Sequence, residues 1–246
     1  MALNWTYVVV FFAWALGGTV GGATGIGTVM IAMPIMTAVI SPGDAVLVSC
    51  ITGTFASLHL AYSYRRYCSC SDLRDLTIGL IPGCIAGAWV LKIVSVRVLE
   101  LMICAMLALF VLLRCFRRIS AYTLPESRLV GTAAGAICGF VSSSVAMEGA
   151  PLGIYVLLKH WDPNRARSNM SVFYAISAVG TVIMQALAGL YDFTLFRMSL
   201  FGMAGCVCGQ VIGVRLGRHI NQKLFTRIIV CFLALTTVFL FFQAIG

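Results

Sequence analysis

Charge is scarce in this chain. Only 10% of its 246 residues are Asp, Glu, Lys or Arg, whereas a soluble domain of ordinary composition is about a quarter charged. With 61% hydrophobic residues and a mean hydropathy of +1.00, the shortage excludes a water-soluble domain and leaves no stretch from which to build one. Basic residues are missing altogether before Arg65 and after Arg227. The start "MALNWTYVVV" therefore lacks the positive n-region of a cleaved signal peptide, and the first apolar run is expected to be part of the fold. The net charge of +9 is scattered through short segments between apolar runs. No contiguous basic face exists for nucleic acid, so none is expected as a partner.

Other absences narrow the chemistry. Ten cysteines are present, yet there is no C-x-x-C pair. "CSC" at Cys68 and Cys70 has no nearby His, and Cys50, Cys84, Cys104, Cys138, Cys206, Cys208 and Cys231 lie in apolar runs as small hydrophobes. No metal and no cofactor are expected. "GGATGIGT" is not followed by Gly-Lys-Ser/Thr, which excludes a P-loop. No G-x-S-x-G elbow accompanies the serines at 142–144, which argues against an intramembrane enzyme using them with His59 or His160 as base.

What the chain does have is apolar length. Hydropathy and helix breakers together mark ten segments, approximately 5–23, 27–40, 45–63, 77–92, 97–114, 129–141, 146–158, 168–189, 198–214 and 224–244. Runs near twenty residues match a hydrocarbon core ~30 Å thick. The first two segments, and the sixth and seventh, form short pairs whose members are separated by Gly/Ser-rich breaks. These pairs repeat each other: Gly18, Gly22 and Pro34 recur as Gly135, Gly139 and Pro151 at one constant displacement. "GCIAGAWVLK" then resembles "GCVCGQVIGVR", and "RVLELMICAMLAL" resembles "KLFTRIIVCFLAL". Three blocks in one order indicate duplication, with halves at 1–119 and 120–246.

Loop charge orients the halves. If each short pair enters the membrane and returns to the side it came from, the second half is inverted relative to the first. With both termini outside, all basic residues but Lys92, Arg97 and Arg197 fall on the inner side, as the positive-inside rule requires. The expected fold is an all-α polytopic protein of the cell membrane. It has two inverted-topology repeats of about five helical segments each, and each repeat opens with a short broken, re-entrant hairpin.

The residues also resemble those of the TauE/SafE (sulfite exporter-like) membrane transporters. The resemblance rests on "GGATGIGTVMIAMP" in the first half and on "GAICGFVSSSVAMEGAPLGIYVLL" followed by "DPNRAR" in the second. "PGCIAGAWVLK" and "GCVCGQVIGVRLGRHI" complete it, so it covers essentially the whole chain. It implies a two-repeat inverted fold and transport of sulfur-containing anions such as sulfite, sulfonates or sulfoacetate, with small carboxylates or thiol compounds assigned to some relatives. Many members carry a richer glycine cluster where this chain has Ser142, Ser143, Ser144 and then Glu148.

Inverted-repeat transporters place substrate at discontinuous helices near the midplane, where helix starts offer N–H donors and partial positive charge. Two such starts are expected here, around Gly27–Thr28 and around Ser144–Glu148, facing each other across the pseudo-twofold axis. The expected binding residues for a small anion are Gly25, Gly27, Thr28, Pro34, Ser142, Ser143, Ser144, Gly149, Pro151 and Asn169. Gly18, Gly22, Gly135 and Gly139, at i, i+4 spacing, are read as helix-packing positions. Glu148 is the one acidic residue expected to be buried within an apolar segment, the others lying at loops or segment boundaries. A carboxylate there costs several kcal/mol unless neutralised or hydrated, which makes Glu148 the expected proton-coupling residue. Other polar residues in the spans, among them Ser177, Thr181 and Gln185, are read as helix–helix hydrogen bonds. The expected partners are the anion and the lipid bilayer, with a homodimer as the candidate assembly. A passive anion channel of the same fold is the alternative function.

Overall fold

A computed structural model of the chain describes residues 2–24, 28–64, 66, 68–115, 124, 125, 127–217, 233, 235 and 237. Among them lie nine α-helices and no strand: α1 (Ala2–Thr24), α2 (Thr28–Thr37), α3 (Pro42–Tyr64), α4 (Cys70–Ile93), α5 (Val96–Cys115), α6 (Arg128–Val145), α7 (Gly149–Leu158), α8 (Pro163–Leu187) and α9 (Phe193–Gly217). Of the expected segment 224–244, only Leu233, Leu235 and Thr237 are described, and all three are helical.

Six helices, α1, α3, α4, α6, α8 and α9, are long and apolar enough to cross a membrane. Their outward faces are greasy: Phe12 is 60% exposed and Ile85 53%, while Ser177, Thr181 and Gln185 are fully buried. Water would select the opposite distribution, so the solvent these faces meet is lipid. The chain is a multi-pass membrane protein. By contrast α2 and α7 have ten residues each, about 15 Å of helix, half of what a bilayer core requires. The short pairs of the sequence reading are thus unequal. Their first members, α1 and α6, are full-length helices, and only the second members are short.

The chain divides into two compact units. The first comprises residues 1–52, 95–112 and 191–246. Its axis is the pair α1 and α9, held close by glycine. A β-carbon on Gly205, Gly209 or Gly213 would collide with the carbonyl oxygens of Phe11, Ala15 and Thr19, respectively, and one on Gly18 would meet Cys206. Residue numbers rise together along this seam, so α1 and α9 run parallel. Helix α2 doubles back on α1, since Gly17 faces Thr28 and Ala32 while Gly21 faces Thr28. Trp14, within an apolar run, is fully buried here beside Gly202 and Thr52. Trp5 and Trp89 are each about two-thirds exposed.

The second unit comprises residues 53–94 and 113–190. Its axis is α4 against α6, built on the same device. Gly79, Gly83 and Gly87 press on the backbone of Thr132, Ala136 and Phe140, while Gly135 and Gly139 press on Leu76 and Leu80. This seam is parallel as well. Its core gathers Leu73, Leu76, Leu80, Cys84, Cys138, Leu152, Tyr155 and Phe173 from α4, α6, α7 and α8. The far end of α7 returns to the start of α6, where the Leu124 N–H donates to the Leu158 carbonyl at 3.0 Å and Lys159 Nζ to the Pro125 carbonyl at 3.3 Å.

Candidate functional site

Helix α6 stops because Ala146 takes the left-handed conformation, φ 58°, and its N–H closes on the Ser142 carbonyl at 2.9 Å. For a residue with a β-carbon that conformation costs roughly 1–2 kcal/mol. Met147 and Glu148 follow outside any helix, and α7 begins at Gly149. Pro151 stands in the first turn of α7, where a missing N–H breaks no intrahelical bond. The break therefore lies at 146–148, one turn later than the serine triplet that the sequence suggested. All three serines are helical and buried. Serine survives there because its hydroxyl is satisfied locally: Ser144 Oγ donates to the Phe140 carbonyl at 2.6 Å, four residues back.

Helix α8 covers the broken end with one polar stripe. Ser177, Thr181 and Gln185 follow at i, i+4 and i+8, on a single face. Gln185 Nε2 donates to the Ser143 carbonyl at 2.8 Å, pairing one of the four carbonyls that a helix C-terminus leaves open. Ser177 and Thr181 both donate to Ser142 Oγ, at 3.1 and 3.0 Å. Ser142 in turn hydrogen-bonds the Glu148 side chain. Behind Thr181, Cys84 Sγ of α4 lies 3.5 Å from its hydroxyl oxygen. Glu148 thus ends a connected series of side chains drawn from α4, α6 and α8. The hydroxyl of Ser143, fully buried and packed towards Gly87, has no hydrogen-bond partner among the described residues.

The structure does not bring Asn169 to this break. Its Oδ1 accepts the Ser69 N–H at 2.9 Å, and its Nδ2 donates to Asp72 at 2.8 Å. Asn169 belongs to a clasp at the opposite end of α8. There Arg165 donates through Nε and a terminal nitrogen to both oxygens of Asp72, each at 2.8 Å. The guanidinium also lies 5.9 Å from the Trp161 ring, and that ring stands edge-on to Tyr155. Burial, with Cys70 and Asp72 nearby, pushes the Cys68 thiol up from its ordinary range.

In the first unit, Gly25 and Gly27 lie outside the described residues. Thr28 opens α2 with its side chain against Gly21. Pro34 is buried inside α2, and its carbonyl accepts the Thr37 hydroxyl at 3.1 Å. Ser49 Oγ of α3 reaches Met33 Sδ at 3.8 Å.

Ser142, Ser143, Ser144, Glu148, Gly149 and Pro151 are therefore gathered at one broken helix end. Sequence reasoning had Ser177, Thr181 and Gln185 only as generic interhelical bonds and Cys84 only as a small hydrophobe. Their four-residue spacing was the signal that could have set the three polar residues on one face, and only the packed structure shows what that face covers.

A family model described as Sulfite exporter TauE/SafE matches residues 10–240. No curated protein and no solved structure matches the chain. A match of that extent, over a chain with six membrane-length helices and two glycine-seamed helix pairs, makes the assignment plain: this protein belongs to the sulfite exporter TauE/SafE family.

Proposed function

We propose that the chain is a secondary transporter. It moves a small sulfur-containing anion of the sulfite, sulfonate or sulfoacetate type across the cell membrane by alternating access, together with a proton carried on Glu148. The observation that carries this reading is the placement of Glu148. It is a partly exposed carboxylate in the non-helical link between α6 and α7, hydrogen-bonded by Ser142. Backbone outside a helix is tolerated at membrane depth where it lines a cavity or meets a ligand. The start of α7 favours an anion, and an ionised Glu148 opposes one. Binding of anion and proton is then mutually favourable, and thermodynamic reciprocity makes each raise the affinity for the other. Gly149 and the neighbouring backbone would hold the anion, with Ser143, Ser144 and Pro151 shaping the broken end. In the first unit Gly25, Gly27, Thr28 and Pro34 would form the corresponding break.

The inverted-repeat reading has support from the pairing of helices. In one unit α1 packs parallel to α9, and in the other α6 packs parallel to α4. In each case the opening helix of one half of the sequence lies on the fourth segment of the other half. The doubling back of α2 on α1, and the return of α7 to the start of α6, suit re-entrant hairpins in halves 1–119 and 120–246. That topology leaves both termini outside.

The test is flux in proteoliposomes for a panel of sulfite, methanesulfonate, sulfoacetate and acetate, with and without a proton gradient. Saturable flux of a sulfur-containing anion, accelerated by the gradient, is the expected result. Absence of flux for the whole panel would overturn the proposal, and unitary currents would replace the transporter with a passive channel.

A further inference from the structure

The hydrogen bonds around Ser142 have a direction. A serine hydroxyl has one proton to give and two lone pairs to receive with. Ser177 and Thr181 fill both lone pairs, at 3.1 and 3.0 Å, so the Ser142 proton has to be donated outward, and its acceptor is Glu148. Because Thr181 spends its own proton on Ser142, the Cys84 thiol 3.5 Å away can only donate into it. The protons of Cys84, Thr181, Ser177 and Ser142 thus run towards the carboxylate, and Ser142, the hydroxyl bonded to it, has no lone pair left to take one back.

This arrangement matters when Glu148 takes up a proton. One carboxyl oxygen still accepts from Ser142. The new O–H cannot be received by Ser142, whose lone pairs are occupied, and must point elsewhere. The geometry points to Ser177 and Thr181 as positioning residues. By keeping Ser142 a donor, they leave the O–H of protonated Glu148 to the transported anion rather than bound back to Ser142. The carboxylate that repels the anion when ionised becomes a hydrogen-bond donor to it when protonated. The titratable groups that interact with Glu148 are the thiols of Cys84 on α4 and Cys138 on α6. The inference rests on the proposed coupling role of Glu148.

The experiment measures the apparent KM for sulfite and for methanesulfonate against pH in proteoliposomes. Methanesulfonate keeps one charge throughout, so its profile reports only the protein. The variants are Ser177→Ala, Thr181→Val, the two combined, Thr181→Ser and Glu148→Gln. Each lost donor opens a lone pair on Ser142 that can capture the Glu148 proton. The double variant is expected to raise KM about tenfold at low pH, where the wild type binds best, with kcat changed far less. Each single variant gives a smaller rise of the same shape, and Thr181→Ser restores the wild-type profile. If the double variant does not insert, the single variants carry the same readout. A double-variant profile parallel to the wild type, lowered in kcat alone, overturns the positioning role; if Glu148→Gln is meanwhile pH-independent, the coupling role of Glu148 stands. A Glu148→Gln profile identical to the wild type, or a wild type that moves neither anion, overturns both.

Discussion

At the residue scale, the broken end of α6 is a problem of open carbonyls, and Gln185 answers one of them. Its Nε2 is 2.8 Å from the Ser143 carbonyl in a fully buried setting. Gln185→Leu keeps the volume and removes the donor, leaving that carbonyl unpaired at a cost of about 1–3 kcal/mol. Thermal unfolding in detergent should show a clear loss of Tm, and an unchanged Tm would mean that the carbonyl finds another partner. Residue chemistry also explains why the break was misplaced by one turn. Ser142, Ser143 and Ser144 are weak helix formers, and a sequence offers no sign that Ser144 bonds Phe140 or that α8 covers Ser142. Nor does alanine announce a left-handed cap as glycine would, so Ala146 carried no signal.

At the element scale, the helices longer than expected are those with polar ends. Helix α4 begins at Cys70, not near 77, because "CSDLRDL" continues the helix below the apolar run, with Asp72 in its first turn. Helix α8 begins at Pro163, not near 168, with proline at the first helical position. Hydropathy sees only the part of a helix that lies in lipid, so the apolar centres were legible and the polar ends were not. The glycine spacing was legible at three of its four positions. Gly18, Gly135 and Gly139 sit at backbone contacts with Cys206, Leu76 and Leu80, as i, i+4 small residues in membrane helices do. Gly83 lies against the backbone of Ala136 and Phe140, with no flexible side chain to move aside. Gly83→Val should therefore lower stability by about 1–3 kcal/mol by forcing α4 and α6 apart, read as a loss of Tm in the purified protein. A Tm at or above the wild type would remove the seam from the account. The clasp between α4 and α8 is a second test. Arg165 and Asp72 are bidentate but partly exposed, so a double-mutant cycle with Arg165→Gln and Asp72→Asn should give a coupling of only about 1 kcal/mol. A coupling of zero would make the pair incidental to the fold.

At the scale of the whole molecule, six membrane-length helices and the family match establish a membrane transporter family member. Sequence supports the proposed duplication through glycine and proline spacing, which survives where side chains drift. It could not show that each compact unit is assembled from both halves of the chain, since that depends on which helices find each other in space. Orientation is open to a direct check. Cys70 is exposed at the start of α4, beside the basic segment around Arg66 and Arg74. In the proposed topology that end lies on the cytosolic side, as the positive-inside rule requires. A membrane-impermeant maleimide should label Cys70 in inside-out vesicles and not in intact cells, with Cys70→Ser as control. Labelling in intact cells would reverse the assigned topology.

The central claim is that one proton, held at Glu148, travels with the anion. The most direct measurement loads proteoliposomes with a pH-sensitive dye and imposes an anion gradient without a proton gradient, for the wild type and for Glu148→Gln. The wild type should acidify the lumen as the anion enters, while Glu148→Gln should still exchange anion with no accompanying proton movement. Proton movement in Glu148→Gln at the wild-type ratio to anion would contradict the account.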